Sequence, residues 1–142
     1  MSDSTGQNPN LVPKIIWGAL TFSQAIHLGL ALFAANPSAE QIESMANSPM
    51  PMVFFGMGLM LIGMGTFFIT KIVKPSENPT NPAELLTPRI IQWAMIEAGM
   101  VMGLVTALQG GPSAIPIGLF VVALLAMLKT FPKDLTRETE AE

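Results

Sequence analysis

The sequence predicts an all-α membrane protein: four transmembrane helices in two helical hairpins, forming a single membrane domain with both termini cytoplasmic. Three observations lead there. Half of the 142 residues are hydrophobic and only 12% are charged, a more apolar balance than ordinary soluble domains show. The charges are also segregated. Residues 15–35, 52–70 and 110–128 contain no Asp, Glu, Lys or Arg, and residues 90–108 contain only Glu97. A spanning helix needs about 20 mostly apolar residues, so the expected spans are 15–35, 52–70, 90–108 and 113–129, with polar tails at 1–13 and 132–142. Finally, all seven basic residues fall on one side of this layout. Lys14 precedes the first span, Lys71, Lys74 and Arg89 lie between the second and third, and Lys129, Lys133 and Arg137 follow the fourth. The positive-inside rule then puts both termini and the central loop in the cytoplasm. A soluble four-helix bundle would carry charges along one face of each helix, and no span here has such a face.

The elements follow in order. Residues 1–13 hold no Lys or Arg, and the apolar run after them is too long for a signal-peptide core. It therefore reads as a retained first span. Trp17, like Trp93 in the third span, stands just inside its helix, where an indole settles at the lipid headgroups. The outer loop "NPSAEQIESMANSPMP" carries Ser38 and Gln41 at capping-box spacing. A short helix there would rest Ile42 and Met45 on the membrane surface; a solvated loop is the alternative. In the central loop, Asn81-Pro82 with Glu84 starts a helical turn before Pro88. Gly110 to Ser113 form a turn, and the fourth span beyond it has only some 15 strongly apolar residues. "PKII" at Pro13 and "PRII" at Pro88 open the first and third spans. A duplicated hairpin would explain the pair, as would chance similarity between two apolar helices.

Composition removes several function classes. The chain has no cysteine, so it has neither disulfides nor thiolate metal sites. A net charge of −3 argues against a nucleic-acid partner. A lone histidine makes no metal centre, and no nucleophile, phosphate loop or cofactor-ligand pattern points to an enzyme. The only cofactor the sequence leaves room for is a bound H⁺ or Na⁺.

That ion would sit at Glu97, in "MIEAGMVMGLVTAL". Glu97 lies about 12 Å along the helix from Arg89, near the middle of a hydrocarbon core about 30 Å thick. An ionised carboxylate there costs at least a few kcal/mol. The group can take up a proton, accept a hydrogen bond, or bind a cation. Counting the same distance from Lys14 and Lys71 puts Ser23, Gln24 and Gly63 at that level, so Gln24 and Ser23 are the candidate ion-site partners. His27, about 7 Å further out by helical rise, is a candidate proton relay. The alternatives are a neutral Glu that ties two helices together, worth about 1 kcal/mol or less, and a histidine bonded to a neighbouring helix.

The second span, "FFGMGLMLIGMGTFF", is a glycine-rich helix. Gly56 and Gly63 share one face and Gly58 and Gly65 another. Small residues let helix backbones approach closely, so the spacing predicts tight packing on both sides, as in a ring of identical helices; an ordinary bundle helix is the alternative.

Residues 52–108 resemble the helical hairpin of the proteolipid c subunit of rotary (F-/V-type) ATP synthases. The glycine-rich span is similar to its inner helix, "KIVKPSENP" to its cytoplasmic polar loop, and "EAGMVMGLVTAL" to its outer helix. The resemblance implies a homo-oligomeric ring, in a bacterial inner membrane, that carries H⁺ or Na⁺ on the carboxyl matched by Glu97. The alternative is a structural membrane scaffold or a small accessory subunit of a larger membrane complex, without transport.

Overall fold

The computed structural model describes residues 11–72 and 82–132. Among them five helices and no strands occur. They are α1 (Leu11–Gly29, extended by a π turn over Leu30–Ala34), the short α2 (Ala39–Ala46), α3 (Met50–Gly63, extended through a π turn over Met64–Phe68 and by Ile69–Ile72), α4 (Pro82–Leu108) and α5 (Ala114–Lys129). Lys74 and Pro75 of the central loop, both polar tails, and the basic residues Lys133 and Arg137 lie outside the described residues.

Three helices are long and apolar enough to cross a membrane: Leu11–Ala34, Met50–Phe68 and Leu86–Leu108. The fourth apolar helix, α5, has 16 residues, or about 24 Å at 1.5 Å per residue. That is shorter than a hydrocarbon core of about 30 Å. Large apolar side chains stand exposed along the long helices, among them Phe22, Phe33, Met52, Met60, Phe67, Ile72 and Leu125. So much bare apolar surface is what lipid, not water, would cover.

Helix boundaries follow local chemistry. Pro13 lies in the first turn of α1, where the missing N–H would be unpaired in any case. At α2 the capping box forms in both directions: Gln41 N–H donates to Ser38 Oγ, and Ser38 N–H donates to Gln41 Oε1. The third span expected from residue 90 begins eight residues earlier. Pro82 suits a first helical position, and the helix runs on through Pro88. Gly110 turns the chain between α4 and α5 at φ +87°, a conformation open to glycine but strained for residues with a Cβ. A Cβ there would also stand 2.9 Å from the Gln41 and Ile42 backbone, so the turn is seated on α2.

Helix α4 is the hub. It packs against α1, α3 and α5, and 44% of its membrane-length window is buried against 11% for that of α1. The core runs through Trp93, Ile96 and Met100 of α4, Ile62 of α3, and Leu119, Ala123 and Met127 of α5. Trp93, expected at the headgroup belt, is fully buried. Its indole N–H donates to the Thr130 carbonyl at 3.2 Å, and that of Trp17 donates to the Met127 carbonyl at 2.8 Å. The two tryptophans thus tie α1 and α4 to the end of α5, where carbonyls lack intrahelical donors.

The four glycines of α3 divide by face, as their spacing requires, but only one face is packed. A Cβ on Gly58 would stand 2.9 Å from the Gly99 carbonyl oxygen, and one on Gly65 2.8 Å from that of Gln92. Around Gly56 and Gly63 there is nothing within 4 Å. The tight approach is therefore α3 on α4 within one chain. Gly99→Val, whose Cβ would meet Ile62 and the Gly58 carbonyl, is expected to lower stability by about 1–3 kcal/mol. Gly56→Val is expected to leave the isolated chain unchanged. Thermal unfolding of both in detergent checks this, and equal losses would contradict the packing.

Candidate functional site

Most polar side chains of the bundle satisfy themselves locally. Thr21, Thr66, Thr106 and Thr130 each donate a hydroxyl to the carbonyl four residues back, the usual accommodation of a hydroxyl within a helix. Asn47 does the same with Glu43. Buried side-chain nitrogen and oxygen atoms without an aligned hydrogen-bond partner are, among the described residues, confined to three side chains: Gln24, His27 and Glu97. All three lie where α1 meets α4. Such atoms are rare in folded proteins, and each asks for a reason.

The geometry is simple. His27 Nδ1 stands 3.0 Å from Glu97 Oε1. Their side chains are 23% and 13% exposed, and the facing atoms have essentially no accessible surface. The distance is that of a hydrogen bond, but the ring N–H is not directed along it, so the contact is a close polar pair rather than an aligned bond. Gln24, one turn before His27 on the same side of α1, is fully buried, and neither amide atom has a protein partner.

Of the residues singled out in the sequence, the structure brings His27 to Glu97. It does not bond Gln24 or Ser23 to that carboxyl. Counting from Lys14 and Arg89 puts His27 too far out because it measures backbone height in upright helices. Side chains on a helix lean toward its N-terminus, so the imidazole reaches back down α1, and any tilt closes the remaining height. Gly63, also placed at this level, is not part of the site. The α3-facing side of α4 is formed by Gln92, Ile96 and Gly99, and Glu97 is about 100° round the helix from Ile96. Acid and glycines occupy different faces of α4.

Charge around the pair is sparse. Lys14, Lys71, Arg89 and Lys129 stand at one end of the bundle, and Lys129 Nζ lies 4.0 Å from the centre of the Phe67 ring. Glu40 and Glu43 are on α2 at the other end. Between these ends His27 and Glu97 are the only titratable side chains in α1, α3, α4 and α5. No group of three or more His, Cys, Asp or Glu that could hold a metal is present among the described residues.

The contact predicts a measurable coupling. In a double-mutant cycle of His27→Phe and Glu97→Leu in detergent or bicelles, the pair is expected to contribute about 0.6–1.7 kcal/mol, the range for polar contacts between membrane helices. Strict additivity of the two losses would mean that the side chains do not interact.

Comparison of the chain with protein-family models, with curated proteins and with solved structures finds no match in any of the three.

Proposed function

We propose that the chain is a proteolipid-like integral membrane subunit that binds and releases H⁺ or Na⁺ at Glu97. It would cross the membrane four times, with both termini cytoplasmic, and assemble as a homo-oligomer. The observation that carries the reading is the confinement of unpartnered buried polar atoms to Gln24, His27 and Glu97. A polar group buried without a partner costs about 1–3 kcal/mol. A chain tied together only for stability would fill this seam with apolar side chains, as it does between α3 and α4. An ionisable group at such depth is a candidate functional site on physical grounds.

The remaining parts fit a small membrane subunit. The short α5 can complete a fourth crossing if Thr130 and Phe131, together with the Gly110 turn, lie within the interface, and the bilayer can thin to meet it at modest cost. The uncovered α3 face at Gly56 and Gly63 offers the close approach that one membrane helix needs to pack on another, and it is the face we assign to the next copy.

A carbodiimide distinguishes ion exchange from a purely structural acid. Dicyclohexylcarbodiimide modifies protonated carboxyls in apolar surroundings. Slow labelling at Glu97 is expected in vesicles of the full chain, fading at high pH, and Glu97→Gln is expected to abolish it. Inert Glu97 at every pH, with normal assembly of Glu97→Gln, would instead identify a scaffold.

A further inference from the structure

We infer that His27 makes the Glu97 site selective for protons over Na⁺. The inference rests on the reading of Glu97 as an exchangeable carboxyl and specifies its ligand.

A carboxyl alone accepts either ion; its neighbour decides. Hard cations are held by oxygen atoms, whereas imidazole nitrogen suits softer transition metals. The atom facing Glu97 Oε1 is a ring nitrogen at 3.0 Å, a separation that a proton bridges. No second carboxylate is available to complete an oxygen cage. Helices α3 and α5 contribute no titratable group between the basic end of the bundle and the α2 end. From α1 the titratable neighbour is His27 itself, with the neutral Gln24 one turn away. The charged groups Lys14, Lys71, Arg89 and Lys129 and the acids Glu40 and Glu43 stand at the two ends. His27 and Glu97 therefore answer chiefly to each other.

Proton counting points the same way. With one proton shared between Oε1 and Nδ1, the pair is neutral, whether written as acid and imidazole or as carboxylate and imidazolium. Sodium could replace that proton only against a neutral ring that offers no oxygen, and an imidazolium would repel it. Replacing the ring by an amide removes both obstacles. Glutamine at position 27 would present a carbonyl oxygen near Glu97, one turn from the unpartnered amide of Gln24.

The test compares carbodiimide labelling of Glu97 in vesicles of the wild type, His27→Gln and His27→Asn, at fixed pH, with Na⁺ exchanged for choline. Wild-type labelling is expected to ignore Na⁺. In the two variants, Na⁺ at about ten times its dissociation constant is expected to slow labelling about tenfold by mass action. Sodium protection of the wild type, or variants as indifferent as the wild type, would overturn the inference. Absence of labelling in all three proteins would overturn the exchange reading beneath it, which is a different result. Should the variants fail to assemble, the infrared carboxyl band of wild-type Glu97 decides: it is expected to be unchanged on adding Na⁺, and its loss at constant pH would overturn the selectivity.

Discussion

The arrangement depends on one constraint: a carboxyl set into an apolar bundle must have a polar neighbour from another helix. Glu97 finds it in His27. That contact requires α1 to lie beside α4. Both helices begin at the end of the bundle marked by Lys14 and Arg89, so they run in the same direction. A parallel pair cannot be joined by a tight turn. The chain between them includes α3, which packs on a different side of α4, and α5 then closes against all three.

The two seams of α4 differ in strength, and magnitudes say why. Toward α3 the backbones approach closely at Gly58 and Gly99 and at Gly65 and Gln92, and Ile62 and Ile96 fill the remaining space. Toward α1, the Trp17 hydrogen bond contributes about 0.5–1.5 kcal/mol, reinforced where Trp17 meets Phe131 edge to face at 4.9 Å. The His27–Glu97 contact adds an amount of similar size. Against these stands the cost of Gln24, whose two buried amide atoms have no partner, about 1–3 kcal/mol. The polar terms nearly cancel, which leaves α1 held mainly by its modest apolar contact. The least buried of the membrane-length helices thus covers the most reactive group. Moving parts of proteins come from such weakly held elements.

How much of this is legible in the sequence depends on the kind of signal. Hydropathy and charge segregation identify the long helices to within a few residues at most ends, because lipid-length apolar runs have few other uses. The capping box at Ser38 is equally plain, since it depends only on two side chains three residues apart. The early start of α4 is less so: Pro88 suggests an end to helix, but a proline there removes one hydrogen bond without preventing continuation. Trp93 misleads because an indole near a helix end serves either the headgroups or a buried carbonyl, and only the position of Thr130 distinguishes them. Glu97 stands out because nothing else in its run is charged. Its partner does not. Depth counted along the backbone favours Ser23 and Gln24, while the side chain's lean along the helix brings in His27. The glycine periodicity shows that α3 has two small faces, but not that one packs on α4 while the other is uncovered within the chain.

The neutrality of the pair connects the weak seam to exchange. With one shared proton, Glu97 and His27 carry no net charge. Removing that proton leaves a buried negative charge, and adding another leaves a positive one, each costing at least a few kcal/mol in lipid. A rigidly closed seam would therefore hold its proton count over a wide pH range and transfer nothing. Exchange requires water to reach the carboxyl as the charge changes. A close-packed seam such as α3–α4 would have to break backbone-level contacts to admit water. The α1–α4 seam has to separate only one imidazole from one carboxyl, beside an amide already lacking a partner. The unsatisfied Gln24 lowers the cost of that opening, because hydration restores hydrogen bonds that closure withholds. The feature that makes the closed bundle less stable is thus the one that makes the acid at its centre accessible.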